Sequence, residues 1–188
     1  MNPFLPAPRC SPLLCLLSVL ALSVLPLPTC QAQADIVPGR RIYTLRLGMT
    51  LAQAQASAAS RPDDVRHQKG GITILDWDDG TIALLRGGRV FQVEISDENE
   101  STPDGIHGGD TLAQLRGRYF PLRHTAYTMR DASGRAEPVD IYDDAGRGIA
   151  FEFMPSNGIG SLVTLESVFV HVPGSHVVPE ADLRFRKG

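Results

Sequence analysis

The sequence predicts an α+β fold: two helix–β-meander repeats forming one antiparallel sheet, with both helices packed on one face. Three observations carry that expectation. The stretch Gly48-Met-Thr-Leu-Ala-Gln-Ala-Gln55 returns sixty-one residues later as Gly109-Asp-Thr-Leu-Ala-Gln-Leu-Arg116. After each copy the apolar period changes from helical to alternating. The alternating stretches are divided by short Asp-, Gly- and Pro-bearing segments of hairpin length.

The first thirty-four residues stand outside that fold. Arg9 is their only charge, and an apolar run from Leu13 to Leu25 follows it, of signal-peptide length and too short to cross a bilayer. Pro26 and Pro28 end the run, and Ala32-Gln-Ala34 forms an A-x-A cleavage site before Asp35. The expectation is a secretory signal cut after Ala34 and a periplasmic or secreted mature protein with no integral membrane segment. The rival reading is a lipoprotein signal with Cys30 lipidated, although Thr29 stands where Gly, Ala or Ser is wanted. Cys10, Cys15 and Cys30 all fall in the leader, so the mature chain is expected to hold together without disulfides. Removal of Arg9 takes the formal net charge from −3 to −4. That mild acidity argues against nucleic acid or an anionic membrane surface as a partner.

The first repeat is assigned to residues 35–104 and the second to 105–172, with 173–188 as a C-terminal tail. Thr50 with Gln53, and Thr111 with Gln114, have the spacing of a capping box. In that motif the Thr oxygen accepts from the amide three residues on, and the Gln reaches back to the cap amide. The helices are predicted from Leu51 to about Ser60 and from Leu112 to about Phe120, each stopped by a proline, Pro62 and Pro121. Strands are predicted at Ile72–Trp77, Thr81–Arg86 and Arg89–Ile95, then at Pro138–Tyr142, Gly148–Met154 and Leu162–Val172. Asp78-Asp79-Gly80, Gly87-Gly88 and Asp143-Asp-Ala-Gly146 supply turns, and Pro155 to Ser161 a loop. The segment after Pro173 reads either as a disordered tail or as a late edge strand.

Leu47-Gly-Met-Thr50, a glutamine at the third helical position and an aromatic-Asp-Asp-Gly turn at Trp77 carry a family likeness. From about Ile42 to Val172 the chain resembles the SmpA/OmlA (BamE) and beta-lactamase-inhibitor-protein (BLIP) fold, and the tandem copy is most similar to the two-repeat inhibitor arrangement. The resemblance implies a protein-binding module of the cell envelope, an inhibitor or immunity-type partner of an envelope hydrolase. The alternative it implies is an outer-membrane assembly factor. The chain departs from both: the inhibitor repeats carry disulfides, and the assembly family is typically lipid-anchored with a single repeat.

Catalytic and cofactor motifs offer less. There is no mature Cys and no G-x-S-x-G elbow, and Ser161 after Gly158-Ile-Gly160 reads as loop. His67, His107, His124, His171 and His176 lack H-x-x-H spacing; His171 and His176 flank Pro173-Gly174 without an evident third ligand. Asp76-Trp-Asp-Asp-Gly80 fails the calcium-loop count. No cofactor or metal is expected. Glu94 and Glu152 leave open a carboxylate-dependent hydrolase. Alternation turns Ile149, Phe151 and Phe153, and Phe91, Val93 and Ile95, toward the helices. Glu94 and Glu152 then fall on the opposite face. With Trp77 and Tyr142, at equivalent strand ends, they form the candidate partner-binding set. The plainer reading is that Trp77 or Tyr142 fills a core edge.

Overall fold

Hairpins dominate the chain's computed structural model, which describes residues 35–68, 70–96, 99–130, 136–155 and 163–179. Residues 1–34, 156–162 and 180–188 lie outside the described residues, and with them Cys30, Ser161 and the Ala32-Gln-Ala34 stretch where cleavage is expected. Three two-residue strands come first: β1 (Ile36–Val37), β2 (Arg41–Ile42) and β3 (Leu45–Arg46), forming a small antiparallel sheet. Helix α1 (Leu51–Ser57) precedes β4 (Asp64–Gln68), β5 (Ile72–Asp76), β6 (Thr81–Arg86) and β7 (Arg89–Ile95). Helix α2 (Leu112–Arg118) precedes β8 (Arg123–Arg130), β9 (Ala136–Asp144), β10 (Ile149–Pro155) and β11 (Val163–His171).

The last eight strands make one antiparallel sheet in the order β4-β5-β6-β7-β11-β10-β9-β8. Strands β7 and β11 meet at its centre, Val93 opposite Val170 and Ile95 opposite Val168. The polar strands β4 and β8 form the edges. Gly87 and Gly88 take φ of 58° and 75° in the two-residue turn between β6 and β7. That backbone matches the right-handed twist of the flanking strands and excludes most side chains. Gly148, φ 71°, begins β10's hairpin so close to the His171 carbonyl that a Cβ would lie 2.3 Å from the oxygen.

One face of the sheet carries α1, α2 and the small sheet. Ile36, Ile42, Ala54 and Leu115 share a single buried cluster with Val93, Ile149, Phe151, Phe153, Leu165 and Val170. Tyr119 meets Phe151 edge-on at 4.9 Å. Both helices are shorter than the proline stops suggested. Thr44 Oγ1 donates to the Ser57 carbonyl at 2.7 Å, and Ala58 is already extended, so α1 ends a turn early. Strand β7 departs from strict alternation. A bulge opposite Leu84–Leu85 admits one extra residue, which turns Val90 into the core and Phe91 onto the far face, its ring 4.5 Å from the Arg86 guanidinium carbon.

The far face is also covered in part. Residues 172–179 cross it as an irregular strap, neither a helix nor a paired strand. Val177 packs on Ile141, Ala150 and Phe169, and Val178 on Ile74 and Leu84. The Gln92 amide clamps Val178 twice, donating to its carbonyl at 2.9 Å and accepting from its N–H at 2.8 Å.

Candidate functional site

The two Gly-x-Thr entries occupy matching places. Thr50 accepts from the Gln53 amide while Gln53 Oε1 accepts from the Thr50 amide; Thr111 and Gln114 do the same. Gly48 N–H donates to Val90 O and Val90 N–H to Met49 O, tying the first entry to β7. Gly109 N–H donates to Leu165 O and Leu165 N–H to Asp110 O, tying the second to β11. These four residues therefore set where each helix begins over its own fourth strand, and they serve position rather than chemistry.

The aromatic half of the expected recognition patch is not on the surface. Trp77 is 3% exposed, in the cluster beneath the helices, and its indole N–H donates to Ser60 O at 3.2 Å. Tyr142 stands opposite Phe151 on the neighbouring strand, so the pleat turns both to the helix side. Its ring is buried there, edge-on to Phe153 at 5.6 Å. Burial raises the Tyr142 phenol pKa, the Asp140 charge adds to the rise, and Arg116 opposes it. Glu94 and Glu152 do lie on the far face, but both are buried, on β7 and β10 with β11 between them. Tyr127 O–H donates to Glu152 Oε2. The structure thus parts the four candidates into two pairs on opposite faces.

What the far face gathers instead is an Asp–His–His cluster. Asp143, at the end of β9, is 5% exposed. Its two oxygens meet His171 Nε2 at 3.0 Å and His176 Nδ1 at 2.9 Å. Burial pushes the Asp143 carboxyl up; the hydrogen bonds from His171 and His176, the His171 charge and the Val177 amide outweigh it and hold the pKa below the usual carboxylate value. On its other nitrogen His171 faces Ser175 Oγ at 3.3 Å. The order Ser–His–Asp has the look of a nucleophile relay. The geometry argues otherwise. Ser175 Oγ donates to Val172 O at 2.5 Å, and His171 Nδ1 also lies 3.2 Å from that carbonyl. The Gly174 and Ser175 amides are spent on Ala145 O and Val172 O, so neither can serve as an oxyanion donor. The cluster latches the strap to the sheet. Among the described residues no group of three His, Cys, Asp or Glu side chains is arranged to hold a metal ion, and no helix is long and apolar enough to cross a membrane.

The most exposed large apolar side chain among the described residues is one the sequence reading passed over. Phe120, at the corner between α2 and β8, is 85% exposed. Its neighbour Tyr119 is fully buried and anchors the corner, with its phenol pKa raised by burial to about 12. Arg116, Arg118 and Arg123 surround Phe120 in sequence, all exposed, and none forms an ion pair among the described residues. Arg116 lies 5.7 Å from the Tyr142 ring and His124 stacks on that ring at 4.8 Å, so the buried tyrosine is the floor of this corner. The signal was available in Arg118-Tyr-Phe-Pro121: two aromatics in a row at a helix end cannot both face the core.

Comparison of the chain with protein-family models, with curated proteins and with solved structures finds no significant match to any of them.

Proposed function

We propose that the mature chain is an exported protein-binding module of the cell envelope, an inhibitor or immunity-type partner of an envelope hydrolase, built from a duplicated helix–meander unit. The observation that carries the binding role is Phe120. An aromatic ring exposed to this degree costs solvation free energy in the free protein, and buried aromatic anchors ringed by arginine are what protein-recognition hot spots use. The exposed Arg116, Arg118 and Arg123 favour a partner with an acidic rim around an apolar pocket. The matched ties of Gly48 to β7 and Gly109 to β11 support the duplication, and the leader's A-x-A site supports export.

A photo-crosslinking residue placed at Phe120 tests the reading in cells. The expected result is one discrete adduct with an acidic envelope protein, not formed when the same residue replaces Val65 on the β4 edge. The same adducts from both positions would sink the assignment of this corner. Intact mass of the exported chain should begin at Asp35. A diacylated Cys30 in the membrane fraction would replace the inhibitor reading with the envelope-assembly one.

A further inference from the structure

A cleft of about 390 Å³ opens on the helix side, far along the chain from the Phe120 corner, between the β2–β3 hairpin, the end of α1 and the β5–β6 turn. That volume is in the lower part of the range of small-molecule sites, roughly 300–1,000 Å³. Its apolar lining comes from Tyr43, Leu45, Ala58 and Trp77. Two polar residues converge at one side. Asp79, exposed at the rim, accepts the Thr81 amide on Oδ1 at 2.9 Å, which holds its carboxylate beside Thr81. Thr81 is 2% exposed, and its hydroxyl has no hydrogen-bond partner among the described residues. A buried hydroxyl left without a partner is costly to folding, and a partner supplied from outside removes that cost. Among the described residues no basic side chain lines the cleft, and none of them offers the Asp79 charge a counter-ion there.

We propose that this cleft binds a small aromatic amine. The ring lodges among Tyr43, Leu45, Ala58 and Trp77, and the ammonium group donates to the Thr81 hydroxyl and the Asp79 carboxylate. The site is separate from the Phe120 corner and stands or falls without it. Trp77 is the chain's single tryptophan, so its emission reports the cleft directly.

The test titrates the mature protein with 2-phenylethylamine and reads Trp77 emission, with calorimetry as a second readout. Saturable binding is expected, and the neutral analogue 2-phenylethanol should bind at least about tenfold more weakly, the loss of a charge-assisted contact. Asp79→Asn keeps an acceptor for the Thr81 amide, so it should weaken the amine about tenfold with no change in the unfolding midpoint. Thr81→Val should weaken it severalfold while the midpoint holds or rises, because the variant removes a polar atom that the free protein leaves unpaired. The proposal is overturned by three results: no saturable signal in either readout, equal binding of amine and alcohol, or wild-type affinity in Asp79→Asn. A fall in the Thr81→Val midpoint without loss of affinity would make that hydroxyl structural and remove it from the site.

Discussion

Asp143→Asn should loosen the strap without disturbing the sheet. Asparagine keeps the size of the side chain but offers one neutral acceptor oxygen in place of two charged ones, so only one of His171 and His176 can still donate to it and neither meets a charge. Hydrogen bonds to a charged acceptor contribute about 1.5–3 kcal/mol each, and a ring nitrogen left unpaired at His171, which is fully buried, costs about 1–3 kcal/mol more. His176 is half exposed, and its share belongs at the low end because solvent screens it. The expected loss at pH 7 is about 3 kcal/mol, read as a lower urea midpoint. The pH dependence follows from the depressed carboxyl. Its folded pKa lies below the unfolded value near about 3.9. The stabilisation is therefore complete above that value and disappears as pH falls through the folded pKa. The gap between wild type and Asp143→Asn should close as the pH falls below about 4. Hydrogen exchange at the Val178 amide, which Gln92 holds at 2.8 Å, should speed up in the variant ahead of the amides of β7 and β11. Equal midpoints at pH 7, or a gap undiminished at about pH 2, would refute the latch.

Thr50→Ala and Thr111→Ala should each lower stability by about 1 kcal/mol, and the double variant should lose nearly the sum, measured by chemical denaturation. Phe151→Ala, which empties a fully buried site beneath Tyr119, should cost about 3–5 kcal/mol. Trp77→Ala should also cost about 3–5 kcal/mol and leave partner affinity unchanged, since the indole is in the core.

The features legible in the sequence are the local ones. A Thr and a Gln three residues apart, or two glycines between alternating strands, fix their own backbone, and Thr50, Thr111, Gly87 and Gly88 take the conformations those patterns require. Strand β4 was hidden because Asp64-Val-Arg-His-Gln68 is polar on both faces and pairs on one side only. The small β1–β3 sheet was hidden because two-residue strands carry no period. The face that Tyr142 takes depends on its pairing with Phe151, a long-range register, and the face that Phe91 takes depends on a bulge that reverses the count. The latch joins residues 28 and 33 apart through Asp143, and nothing local in Pro173-Gly-Ser-His176 says where the strap goes. Trp77 showed its apolar bulk to the sequence reading, and the structure uses that bulk inside.

We propose the corner between α2 and β8 as the place where this protein grips another. Calorimetry with the partner that the Phe120 crosslink identifies tests it most directly, comparing wild type with Phe120→Ala. Since Phe120 is 85% exposed in the free protein, the variant should unfold near the wild-type midpoint. Its affinity should nonetheless fall by about thirtyfold, the equivalent of about 2 kcal/mol at a hot spot. A dissociation constant within twofold of wild type would contradict the account.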